Sequence, residues 1–183
     1  MHSNSCNIVV IDRLRNCSKD LENAFGDEFL GLVLFGSWAR GEARVNSDVD
    51  VLVVLKSLRG LEVRSSIYVI LSNCVKRSVT LIDVRVDELF KDVIELTPLM
   101  LNIFVDGIVI YDKTGKLSEL ASKVRQFVNA AGLVRYRTVH PRAVIYGVLK
   151  LFSATLGFLT VSPGPLTALL ERFSETWGHR LGL

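Results

Sequence analysis

Gly36-Ser37, ten further residues, and then Asp48-Val49-Asp50 are the side chains of this sequence best placed to do chemistry. They lie within LVLFGSWARGEARVNSDVDVLVVL, where the apolar runs Leu30–Phe35 and Val49–Leu55 flank a polar turn. A glycine-serine turn at a strand end offers backbone N–H groups and a hydroxyl to a phosphate. Asp48 and Asp50, two residues apart on an extended segment, point to the same face because side chains alternate along a strand. Two adjacent carboxylates in an apolar strand repel each other unless a divalent cation lies between them. Phosphate chemistry assisted by a cation is the first expectation.

Such a site needs two strands and a turn. The Val- and Leu-rich runs, bounded by turn residues, predict strands over Gly31–Phe35 and Val49–Leu55. Between them Trp38–Ala43 is expected to form a short helix whose positive N-terminal end faces bound phosphate. Ile8–Phe25 reads as a leading helix, Leu61–Lys76 as a helix across the sheet, and Ser78–Val86 as a third strand with Val79 and Leu81 turned inward. Further along, Asp87 begins a helix, Pro98 breaks it, and Asp106-Gly107 turns the chain between Ile103-Phe104 and Ile108–Tyr111. Lys116–Ala130 is a helix stopped near Gly132. A basic strip, Arg135, Arg137, His140 and Arg142, leads into an apolar helix over Val144–Val161. Ser162-Pro163-Gly164-Pro165 is a hard break before a final amphipathic helix, Leu166–Trp177.

Gly36, Ser37, Arg40, Gly41, Ser47, Asp48 and Asp50 fall at the spacing of the DNA polymerase β-like nucleotidyltransferase superfamily, and the pattern resembles its small, minimal nucleotidyltransferase branch. The likeness runs roughly from Leu21 to Asp112, with Gly107–Asp112 resembling the strand that closes the family's domain. It implies an α/β fold, a short mixed sheet backed by helices. Residues 1–132 would be the nucleotidyltransferase domain and 133–183 a helical C-terminal extension.

The resemblance also implies an activity: transfer of a nucleoside monophosphate, AMP from ATP, to a hydroxyl with loss of pyrophosphate. Mg2+ would be the cofactor, bound by Asp48, Asp50 and a third carboxylate on the following strand that helps deprotonate the acceptor. Asp83 is the candidate for that third ligand, as the one acid within the apolar run Val79–Val84, where an unpaired charge is costly. Asp87 competes, but its place before Glu88-Leu89 suits a helix cap, and Asp83 also has the plainer reading of a partner for Arg85. Gly36, Ser37, Arg40 and Ser47 would bind the triphosphate or shape its seat. Arg40 equally suits a solvated pair with Glu42, and Trp38 suits the core better than a base stack. Minimal nucleotidyltransferases of this Gly-Ser-x10-Asp-x-Asp form often serve as antitoxins, adding AMP to a tyrosine of a helical HEPN-type partner. The rivals are a small-molecule nucleotidyltransferase and a non-catalytic module that binds nucleotide or blocks its partner.

Whole-chain properties bound these readings. With 183 residues and 49% hydrophobic content the chain builds a sizeable core. A net charge of +3 gives no strong nucleic-acid signal. Cys6, Cys17 and Cys74 lack CxxC spacing, so reduced thiols in a cytoplasmic protein are expected, with no secretory leader. The Val144–Val161 segment approaches the length of a membrane span. Lys150 near its middle costs about 2.5–3.5 kcal/mol on insertion, and a buried or dimer-forming helix is expected instead. The apolar residues of the last two helices would form a homodimer or hetero-oligomer surface.

Overall fold

The computed structural model describes residues 3–90, 97–137 and 144–148. Its centre is a four-stranded mixed sheet of β1 (Phe29–Phe35), β2 (Val49–Leu55), β3 (Val79–Arg85) and β4 (Ile108–Asp112), in the order β3-β2-β1-β4. β1 runs antiparallel to both β2 and β4, and β2 runs parallel to β3. The parallel pair needs a crossover, which α3 (Leu61–Val75) supplies.

Helices cover both faces, which explains why β1 and β2 are apolar almost throughout rather than alternating. On one face α1 (Ser3–Phe25) sets Val10, Leu14, Cys17 and Leu21, and α3 sets Ile67, Leu71 and Val75, against Val49, Val51, Val53 and Leu55 of β2. Each helix contributes these residues at steps of three and four, one stripe of a helical surface. On the other face α5 (Pro98–Asp106) and α6 (Lys116–Ala130) bury Ile103, Phe104, Leu117 and Leu120 against Val33, Phe35, Leu52 and Val54. The polar ends of these strands, not their middles, are therefore where chemistry finds room.

Several expectations change. The short helix after the Gly-Ser turn, α2, covers Gly36–Ala39 and not Trp38–Ala43. Asp87 lies in the first turn of α4 (Val86–Leu89), whose N-cap is Arg85 with no side-chain cap bond; Asp87 instead pairs with Arg85 at 3.0 Å. Pro98 begins a helix: Thr97 is its N-cap, accepting from the Met100 amide at 3.2 Å, and proline suits the first turn because its missing N–H has no helical partner there. Ile103-Phe104 is consequently helical, and Asp106-Gly107 joins α5 to β4, a turn where the sequence placed one.

The apolar segment after residue 143 starts as β6 (Val144–Val148), antiparallel to β5 (Leu133–Arg137), where a helix was expected. Val144, Ile145, Tyr146 and Val148 are β-branched or aromatic, types that suit a pleated surface. The rest of that segment, the Pro-Gly break and the final helix lie outside the described residues, and with them the expected oligomer surface. Cys17 of α1 and Cys74 of α3 form a disulfide with Cα atoms 5.8 Å apart, correcting the expectation of reduced thiols. Helix packing joins cysteines 57 positions apart, a pairing that a search for near spacing does not find. Among the described residues no helix is long and apolar enough to cross a membrane.

Candidate active site

The register of β1 and β2 sets Phe35 opposite Asp50, so the Gly36-Ser37 turn begins beside that carboxylate. Gly36 has φ +71°, in the left-handed region, and a Cβ added there would collide with Asp50 Oδ2. Glycine is thus required twice, for conformation and for clearance. α2 then folds into a single turn, closed by the Glu42 amide donating to the Ser37 carbonyl at 2.9 Å. The main chain of Gly36 and Ser37 consequently lies directly against the Asp50 carboxylate.

Trp38 is almost fully buried, and its Nε1 donates to the Ser47 carbonyl at 3.2 Å. The Arg77 guanidinium lies over its ring, 4.9 Å from the centroid. Trp38 is therefore a core residue that ties the Gly-Ser turn to the segment leading into Asp48. Ser47 adds to this by accepting the Arg44 amide on its hydroxyl at 2.8 Å. Both residues shape the approach to the acids.

Asp48 is exposed at the start of β2, and Asp50 is partly buried within it. Burial pushes the Asp50 carboxyl up from the usual carboxylate range. A hydrogen bond from the Thr80 hydroxyl pulls it down, the Asp48 charge raises it, and Arg40 lowers it. Arg40 is not a free phosphate clamp: Nε pairs with Glu42 at 3.0 Å and Nη1 approaches Asp106 at 3.9 Å. Arg135 of β5 joins the same group, reaching Glu42 at 2.8 Å and Asp106 at 3.1 Å. The Arg135 hydrogen bond, followed by that of Arg40, holds the Glu42 carboxyl down at about 2. This four-charge cluster binds the β5 strand to the turn after α2 and to the end of α5. The basic strip in the sequence gave no hint of it, because its acidic members lie 29 and 93 positions from Arg135.

Asp83 is not brought together with Asp48 and Asp50. In the parallel register Thr80 stands opposite Asp50, while Asp83 stands opposite Val53. Val53 packs with α1 and α3, on the face of the sheet away from Asp50. Asp83 bonds there to Arg64 of α3, whose Nη2 also donates to the Leu81 carbonyl at 2.6 Å. Its partner is thus Arg64 and not Arg85. An open cleft of about 600 Å³ between α3 and β3, bordered by Leu61, Tyr68 and Val69, reaches Thr80 at the strand edge.

Asp48 and Asp50 are hard oxygen ligands next to the turn suited to phosphate, and magnesium is commonly held by one or two carboxylates plus substrate phosphates. These residues fit one such ion. Among the described residues, no group of three or more His, Cys, Asp or Glu side chains could hold a metal.

Residues 19–116 match the family described as polymerase beta, nucleotidyltransferase. Among curated proteins of Methanocaldococcus jannaschii, the chain is 24% identical over 131 residues to "Putative protein adenylyltransferase MJ1305", covering 70% of this chain and 86% of that one. It is 35% identical over 63 residues to "Putative protein adenylyltransferase MJ0141", covering 34% of this chain and 64% of that one. A solved structure described as "the toxin-antitoxin with AMP-PNP" is similar at TM-score 0.45 and 19% identity, over 64% of this chain and 89% of that chain.

Proposed function

This chain belongs to the polymerase beta nucleotidyltransferase family and is a nucleotidyl-transferring enzyme, and from that premise we propose that it moves AMP from ATP to a hydroxyl of a partner protein. The observation that carries the reading is the seat beside Asp50. A glycine that admits no Cβ sets the main chain of Gly36 against Asp50 of β2, with Asp48 just before that strand.

In the reaction the acceptor oxygen bonds to the α-phosphorus as the bond from that phosphorus to pyrophosphate breaks, and the hydroxyl proton is released. Charge gathers on the phosphoryl oxygens, so positioning and electrostatic stabilisation dominate. Gly36 and Ser37 receive the phosphates on backbone N–H groups and the Ser37 hydroxyl. Trp38 and Ser47 hold the turn and the acids in register through their mutual hydrogen bond. Asp48 and Asp50 would hold Mg2+, which would neutralise charge on the phosphates. Arg40, held by Glu42 and Asp106, keeps a positive charge near Asp50 without occupying it.

A protein acceptor is favoured by the names of the two curated relatives, each called "Putative protein adenylyltransferase". The motif's Gly-Ser-x10-Asp-x-Asp form, which resembles that of antitoxin-type enzymes, favours a tyrosine on a helical HEPN-type partner. Incubation with α-labelled ATP and such a partner should label the partner with Mg2+ and fail with a chelator. Label appearing on a small molecule, or none with any nucleoside triphosphate, would overturn the reading.

A further inference from the structure

Within the reach of Asp50, the neighbouring strands supply Phe35 on one side and Thr80 on the other. Thr80 stands opposite Asp50 and shares its face, and its hydroxyl acts to lower that carboxyl. Resting on the nucleotidyl-transfer reading, we propose that Thr80 occupies the place on β3 where a third carboxylate would complete a second cation's ligands, so that this chain holds one divalent cation with its nucleotide. Thr80 is then a positioning residue, orienting Asp50, and the residue that sets the metal count.

The argument is one of parity and charge. β3 carries a single acid, Asp83, and its odd separation from Thr80 sends it to the opposite face, where Arg64 takes it. The acids that follow the strand, Asp87 and Glu88, both hold Arg85. Two carboxylates balance one divalent charge. A second cation at the same place would face a neutral hydroxyl where a carboxylate is needed, and hard cations take carboxylates, carbonyls and waters in preference. A hydroxyl on the same face beside Asp50 is also suited to orient that carboxylate, the office of a group behind a ligand.

The test counts Mn2+ bound to the protein saturated with α,β-methylene-ATP, by electron paramagnetic resonance of the free ion. Wild type should bind one ion per chain, and Thr80→Asp two, with the second site at least about tenfold tighter than any weak second site of wild type, a change of about 1.4 kcal/mol. Thr80→Asn, neutral and of similar size, should remain at one. Thr80→Val should remain at one with weaker affinity, since the loss of the hydrogen bond frees Asp50 to turn. Two tight ions in wild type would overturn the proposal while leaving the transfer reading intact, and this count stands even if Thr80→Asp does not fold. No ion at all in the nucleotide complex would instead overturn cation-dependent transfer itself.

Discussion

Asp50 and Asp83 sit on neighbouring strands of one sheet, three residues out of register, and meet opposite surroundings. Asp50 faces the Gly36 turn with Asp48 close by and Thr80 opposite it. Asp83 opposes Val53 on the face packed by α1 and α3 and is taken by Arg64. The first face leaves a carboxylate next to main chain. The second is a scaffold of two helices tied by the Cys17–Cys74 disulfide. A side-chain period of two turns an odd offset into a change of environment, and environment, not residue type, decides which acid can meet a phosphate.

The sharpest way to break this contrast is Asp50→Asn. Turnover should fall by about 10²–10³-fold, the usual loss when one preorganised electrostatic group is removed. Melting temperature should hold or rise, because burial already disfavours the charge. Labelled-ATP turnover and a thermal melt on the same preparation decide it. Unchanged turnover would strip the Asp50 face of its chemistry.

Cleaving the disulfide should produce the opposite pattern. It joins residues 57 positions apart, and removing a bridge of that span costs roughly 2–4 kcal/mol through the freedom regained by the unfolded chain. Cys74→Ser, or reductant, should lower the melting temperature and leave nucleotide affinity unchanged. A loss of affinity as large as the loss of stability would mean that the scaffold face reaches into the site.

These faces were unequally legible in the sequence. β1 and β2 announce themselves because strands covered on both sides are runs of Val, Leu and Phe, and the motif between them fixes Gly36, Ser37, Asp48 and Asp50 at one end. β3 is different. VTLIDVR is only partly buried along most of its length, so its own pattern does not say which acid-bearing parity faces Asp50. That depends on pairing with β2, a tertiary fact, and an isolated reading naturally prefers Asp83 to a threonine. Pro98 was misread for a related reason: proline ends a helix or begins one, and only the Thr97 cap tells which. Val144–Val148 is apolar in a way that suits helix or strand, and its partner Leu133–Arg137 settles it. The Arg40–Glu42–Asp106–Arg135 cluster joins charges far apart in the chain, which no local pattern encodes.

That cluster marks the rim of the chemical face and gives a smaller, pH-dependent effect. Glu42 has its carboxyl depressed from 4.5 to about 2, first by Arg135 and then by Arg40. A depressed carboxylate binds its proton less readily folded than unfolded, so its stabilisation is complete above pH 4.5 and is lost as pH falls toward 2. Glu42→Gln should flatten the acid limb of stability in that window and change little at pH 7 beyond a constant offset. Urea melts from pH 5 to pH 2 compare the two proteins. Parallel acid limbs in both would place the depressed carboxylate elsewhere.

The smallest expected effect tests the comparison most directly. Asp83→Asn keeps size and strand position and removes only the charge. Its partner Arg64 has 47% of its side chain exposed and Asp83 has 22%, so water screens much of the pair and its loss should cost about 0–1 kcal/mol. Arg64 retains its bond to the Leu81 carbonyl, which keeps α3 pinned to β3. Turnover should therefore match wild type, and the Mg2+ dependence should not move. Asp50→Asn and Asp83→Asn are the same chemical change on adjacent strands, so any difference between them reads the environments alone. If Asp83→Asn abolished turnover while its melting curve stayed put, the acid on the α1–α3 face would be acting on the acceptor. The parity argument for Thr80 would then fall with it.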